Sequence, residues 1–162
     1  MGRIGREIAA RAQGFKMSIA YTDLGRMEDL PYDFFESAET MAANVDFFVV
    51  AAAGGAQSRG AIGKDVLNAL GPEGILVNIA RGSVVDEPAL VSALVEGRLG
   101  GAGLDVFADE PNVPAALVAL DNVVLQPHRA SATFDTRIAM GDLVLANLAA
   151  HFAGRELKTP VV

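Results

Sequence analysis

Three charged side chains stand just past the ends of short runs rich in Val, Ile and Leu. Arg81 follows ILVNIA, Glu110 lies three residues beyond GAGLDVF, and His128 lies two beyond NVVLQ. If those runs are adjacent parallel strands, the three side chains converge at the strand ends, which is where open parallel sheets gather their ligands. A guanidinium in such a cleft polarises a carbonyl oxygen, and an imidazolium delivers a proton to the alkoxide that develops there. A carboxylate partner keeps an imidazole protonated at neutral pH, a part that suits Glu110. The chemistry that fits this set is hydride transfer to a 2-oxo acid. Taken singly, each residue has a plainer reading: Arg81 as a surface loop cation, Glu110 as a helix N-terminal acid, His128 as the start of a helix. Three of them on successive strand ends favour the chemical reading.

A second group lies at the start of the chain. Gly2-Arg3-Ile4-Gly5 precedes a helical pattern and matches the last four positions of G-x-G-x-x-G, whose glycines let the backbone approach a pyrophosphate at a helix N-terminus. The first Gly of that motif and the strand feeding it would precede Met1, so the same four residues also read as an ordinary helix start. Asp23, 18 residues past Gly5, stands near the distance at which a carboxylate accepts hydrogen bonds from the adenosine ribose. That carboxylate favours NAD and repels a 2′-phosphate, whereas Arg26, three residues on, carries the opposite preference. The balance favours NAD over NADP.

The elements that must position these groups alternate. Helical spacing covers residues 3–13, followed by a strand at 17–21, a polar turn region at 22–31 and a short helix at 38–43. A buried strand at 46–53, a helix at 64–70, a strand at 75–80 and a helix at 88–96 come next; Gly97 closes that helix and Pro88 suits its first turn. Strands at 101–107 and 122–126 flank a Pro-bounded segment, 111–120, and a long helix at 133–153 ends at Gly154. Such alternation implies an α/β fold, a Rossmann-type doubly wound parallel sheet. A single domain, 1–154, is expected, with 155–162 as an extended tail.

Composition narrows the function further. A net charge of −7 argues against a nucleic-acid partner, which needs clustered Lys and Arg. The apolar runs fall well short of the about 20 residues of a membrane span. There is no Cys, and His128 and His151 are 23 positions apart, which speaks against disulfides and a zinc site. Residues 1–11 mix charges with short apolar stretches, unlike a signal peptide, so the expected location is cytoplasmic.

The blocks Gly2-Arg-Ile-Gly5, Asn78-Ile-Ala-Arg-Gly-Ser-Val-Val-Asp86, Gly101-Ala-Gly-Leu-Asp-Val-Phe107 with Asp109-Glu-Pro111, and Pro127-His128 with Ser131-Ala-Thr133 resemble the D-isomer-specific 2-hydroxyacid dehydrogenases. The resemblance covers nearly the whole chain and is strongest to the glyoxylate/hydroxypyruvate reductase branch. It implies that Arg81 binds the substrate carboxylate and carbonyl, that His128 is the acid/base and that Glu110 is its partner. It further implies that Arg3 and Ile4 contact the pyrophosphate, Gly54 and Gly55 the nicotinamide ribose from beneath and Asp105 the nicotinamide side; with Gly2, Gly5 and Asp23 from the spacing above, and Ala80, these are the expected cofactor-binding residues. NAD or NADP would be the cofactor, a small 2-oxo acid the substrate, and a homodimer through the cofactor domain the assembly.

The resemblance also implies that the first strand and a substrate domain of the family are missing from this sequence, and that the tail LKTPVV would cross to that domain. A noncatalytic NAD-binding or dimerisation fragment is the alternative reading. Three positions depart from the family pattern: Arg129 and Ala130 replace an apolar residue and Gly after the His, Ala53 replaces Pro, and Leu24 stands where NADP-using members often have Arg.

Overall fold

The computed structural model describes residues 1–160; the last two positions of the expected tail, 161–162, lie outside them. The residues group into two compact units, Met1–Pro127 and His128–Val162, where the sequence reading draws one domain through Gly154.

The first unit opens with helix α1 (Arg3–Gly14). The helix stops at Gly14 as expected, although the left-handed reversal falls on Lys16, at φ 61°. Strands β1 (Ala20–Tyr21) and β2 (Asp33–Phe34) pair in parallel as a small sheet of their own. Helix α2 (Ala38–Ala42) follows, capped by the Ser37 hydroxyl, which accepts from the Thr40 N–H at 3.1 Å. Then come β3 (Phe47–Val50), α3 (Lys64–Leu70), β4 (Ile75–Asn78), a 3-10 turn (Gly82–Val84), α4 (Glu87–Val95), β5 (Gly101–Leu104), α5 (Ala115–Val118) and β6 (Val123–Leu125). β2, the 3-10 turn and α5 lie outside the elements expected from the sequence.

β3, β4, β5 and β6 form one parallel sheet in that order. Each strand steps to its neighbour in the same direction, the arrangement produced by right-handed crossovers. The register places Phe48, Leu76, Ala102 and Val123 in one row and Val50, Asn78, Leu104 and Leu125 in another on the same face. That face and the helices α3, α4 and α5 share one hydrophobic core, with Leu67, Leu76, Leu90 and Leu117 almost fully buried. Burial of each such leucine contributes about 1.5–3 kcal/mol.

The opposite face is thinner. Its row Val49, Val77, Gly103 and Val124 contains two exposed valines and a glycine, and Phe47 is half exposed. β3 is the terminal strand of this sheet among the described residues. Glycines at 100 and 101 let the strand start pass close to its neighbours: a Cβ on Gly100 would meet the Pro72 carbonyl oxygen at 2.7 Å, and one on Gly101 the Asn122 oxygen at the same distance.

The second unit is essentially helix α6 (Phe134–Phe152), started by the Thr133 hydroxyl accepting from the Thr136 N–H at 3.2 Å. The chain after Gly154 turns back along it: Asn147 Oδ1 accepts from the Lys158 N–H at 2.8 Å, and Asn147 Nδ2 donates to Thr159 Oγ1, also at 2.8 Å. Among the described residues no helix is long and apolar enough to cross a membrane.

Candidate active site

Within the first unit, the residues singled out for chemistry lie beyond the carboxyl ends of parallel strands. Gly54 and Gly55 follow β3, Ala80 and Arg81 follow β4, and Asp105 and Glu110 follow β5. Asn78, the last residue of β4, is 1% exposed and builds the turn that carries Arg81. Its Oδ1 accepts from the Ala80 N–H at 3.0 Å, and its Nδ2 donates to the Arg81 carbonyl at 3.2 Å. The Asn78 backbone carbonyl accepts from the Asp105 N–H at 3.0 Å, so the same residue ties the ends of β4 and β5 together. Asp105 is buried.

Gly82 brings the two charged turns into contact. A Cβ there would fall inside the Phe107 carbonyl group, so only glycine lets the Arg81 turn lie against the backbone that leads to Glu110. The Glu110 side chain folds back on that backbone, Oε1 accepting from the Phe107 N–H at 3.1 Å, and Glu87 Oε2 accepts from the next N–H, that of Ala108, at 2.9 Å. The aliphatic stem of Arg81 lies over Gly54, where a Cβ would meet Arg81 Cγ at 2.7 Å. One guanidinium N–H of Arg81 donates to the Ala80 carbonyl at 2.6 Å. Arg81, Gly54 and the Phe107–Glu110 turn are thereby brought together at the carboxyl ends of β3, β4 and β5. Asn78, Gly82 and Glu87, which build the arrangement, have no role in the sequence reading; an Asn ahead of a turn and an acid at a helix start are the signals that point to two of them.

His128 follows β6 in the chain and opens the second unit. Its backbone takes φ 54°, a conformation few non-glycine residues adopt and one concentrated at functional positions.

The residues around α1 suit a dinucleotide. Gly2 is its N-cap and supplies no side-chain cap, the first turn carries no acid, and a Cβ on Gly2 would meet nothing within 4 Å. The first-turn backbone N–H groups of a helix with neither a side-chain cap nor an acid, with Arg3 beside them, suit a pyrophosphate. Ile4 is exposed, and Gly5 passes close to Met1, whose Sδ would lie 2.8 Å from a Cβ there. Asp23 lies two residues beyond β1, where its carboxylate accepts from the Leu24 N–H at 2.8 Å and contacts the Met1 nitrogen.

The comparisons with known proteins identify the family of the chain. The sequence profile of the D-isomer specific 2-hydroxyacid dehydrogenase NAD binding domain matches residues 1–130. The chain is 51% identical over its full 162 residues to a hydroxyphenylpyruvate reductase of Plectranthus scutellarioides, covering 52% of that protein. It is 49% identical to a glyoxylate/hydroxypyruvate reductase of Arabidopsis thaliana, again over all of this chain and 52% of the relative. A crystal structure of an NADPH-dependent glyoxylate/hydroxypyruvate reductase from Sinorhizobium meliloti, in complex with NADP and malonate, superposes with a TM-score of 0.97 at 50% identity. The superposition covers 99% of this chain and 50% of that one. The chain spans about half the length of the curated relatives it matches. It belongs to the D-isomer specific 2-hydroxyacid dehydrogenase family, of which it carries the NAD-binding domain.

Proposed function

We propose that this chain is the cofactor-binding half of an oxidoreductase acting on a small 2-oxo or 2-hydroxy acid of the glyoxylate or hydroxypyruvate type. The observation that carries the reading is the backbone contact at Gly82, which seats the Arg81 turn against the Glu110 turn at the carboxyl ends of β4 and β5. NAD or NADP, when bound, supplies the hydride. Arg81 holds the substrate carboxylate and draws electron density toward the carbonyl oxygen, a role that suits its planar array of donors. His128 gives up a proton in reduction and takes one in oxidation, with Glu110 as its carboxylate partner. Gly2, Arg3, Ile4 and Gly5 receive the pyrophosphate, Asp23 the ribose hydroxyls, and Gly54, Gly55, Ala80 and Asp105 the nicotinamide end. Residues 1–154 form the cofactor domain and the tail from 155 reaches the substrate domain. The working assembly is a homodimer formed through the cofactor domain.

A titration of the purified chain with NADH and with NADPH, followed by nucleotide fluorescence and melting temperature, tests this reading. Saturable binding with a rise in melting temperature supports it, and binding of neither nucleotide overturns it. Turnover of glyoxylate or hydroxypyruvate by the chain joined to a substrate domain separates an enzyme from a fragment that only binds nucleotide.

A further inference from the structure

Arg6 stands one turn into α1, and all three nitrogens of its guanidinium donate hydrogen bonds. Nη1 donates to Asp29 Oδ2 at 2.6 Å and Nη2 to Asp29 Oδ1 at 3.3 Å, a two-pronged pairing; Nη2 also reaches Met27 Sδ at 3.5 Å, and Nε donates to the Met1 carbonyl at 3.3 Å. Met1 is also the residue whose nitrogen contacts the Asp23 carboxylate. Arg6 and the proposed ribose-reading carboxylate are therefore separated by a single residue.

The Asp29 side of the pair is held in place. The segment from Thr22 to Leu30 is pinned halfway by the buried Tyr21, whose hydroxyl accepts from the Met27 N–H at 2.7 Å and donates to the Met27 carbonyl at 3.3 Å. Exposed ion pairs ordinarily contribute little because two free side chains must be ordered to form them. Here the Tyr21 tether at Met27, two residues before Asp29, and the seat of Arg6 on a helix bring the two side chains together, and the pairing is two-pronged. Arg6 in turn holds the Asp29 carboxyl below its ordinary range.

A guanidinium beside a ribose-binding carboxylate is the group that would welcome a 2′-phosphate, with its extra negative charge and its oxygens matched to paired N–H donors. In this chain that cation is already occupied. We propose that Asp29 is a nucleotide-selectivity residue: by neutralising Arg6 it withholds from a 2′-phosphate a cation one residue away from Asp23, and so tilts the site toward NAD. The proposal rests on the cofactor reading above. Sequence spacing points to Asp23 and Arg26 for this choice; the structure adds Asp29, acting through Arg6 as a positioning residue.

The test is a mutant cycle on the whole chain, with dissociation constants for NADH and NADPH measured by fluorescence titration. Asp29→Asn keeps the shape and removes the charge, and should raise the ratio of NADPH to NADH affinity about fivefold, the size of one exposed charge contact. Adding Arg6→Gln should return the ratio to its parental value, and Asp29→Glu should hold it there. An unmoved ratio in Asp29→Asn overturns the proposal. So does a gain that persists with Arg6→Gln, since it would come from the charge of Asp29 itself. If the unmutated chain binds neither nucleotide, the cofactor reading fails and this inference with it; binding with an unmoved ratio sinks this inference alone.

Discussion

At the scale of the residue, the site depends on one buried amide as much as on its charges. Asn78 spends its side chain on the Ala80 N–H and the Arg81 carbonyl. Asn78→Ala should cost about 1–3 kcal/mol, the penalty for leaving such groups unpaired, read as a lowered midpoint in urea unfolding with an unchanged slope. Arg81→Ala, in the chain joined to its substrate domain, should lower kcat/KM by about 10² or more, as expected when an electrostatic clamp is lost. Steady-state kinetics with glyoxylate would show it, and an unchanged rate would remove Arg81 from the mechanism. The Arg6–Asp29 pair makes a prediction in pH. Asp29 titrates below its ordinary range because Arg6 donates to it, so its contribution is complete above the unfolded carboxyl value of about 3.9 and disappears as pH falls through the lowered one. Carbon-13 NMR of the Asp29 carboxyl should show the low midpoint, and Arg6→Gln should return it to the ordinary range.

At the scale of the element, β3 pairs along one edge among the described residues. The Ile75 N–H donates to the Asp46 carbonyl at 2.9 Å and the Ile79 N–H to the Val50 carbonyl at 3.3 Å, so alternation turns residues 46, 48 and 50 toward β4 and residues 47 and 49 away from it. Hydrogen exchange should therefore be fast at Phe47 and Val49 and slow at Phe48 and Val50; equal protection at all four would mean a further strand on that edge. Helices with local signals were legible in the sequence: α3 runs from Lys64 to Leu70 as the periodicity has it, and Pro88 sits in the first turn of α4. Strands came out shorter than their apolar runs, β1 keeping two residues of five, because a strand extends only where a partner meets it. β2 was invisible for the same reason, its Asp33 and Phe34 carrying no pattern apart from their pairing with β1. The strand-end charges were legible because chain order places them. The Gly82 contact was not, since it depends on how closely two backbones approach across the sheet.

At the scale of the whole molecule, α6 leaves large apolar side chains exposed. Ile138, Met140, Val144 and Leu145 are at least half exposed along its middle, and Phe134 and Phe152 are more than 80% exposed at its ends. A helix apolar on several sides is a buried helix in a working protein. In line with the proposed homodimer, sedimentation velocity should show a species of twice the 16.9 kDa chain mass, and Leu145→Lys should shift it to the monomer. A monomer before mutation would rule out this route to assembly. The side of β3 that no strand among the described residues covers has its own consequence. Phe47–Val50 is a short segment of high strand propensity and no charge, and the backbone groups of Phe47 and Val49 face outward, where they can pair with an extended segment, including one from another copy. Where such an edge is open, growth by strand addition needs no unfolding of the sheet behind it.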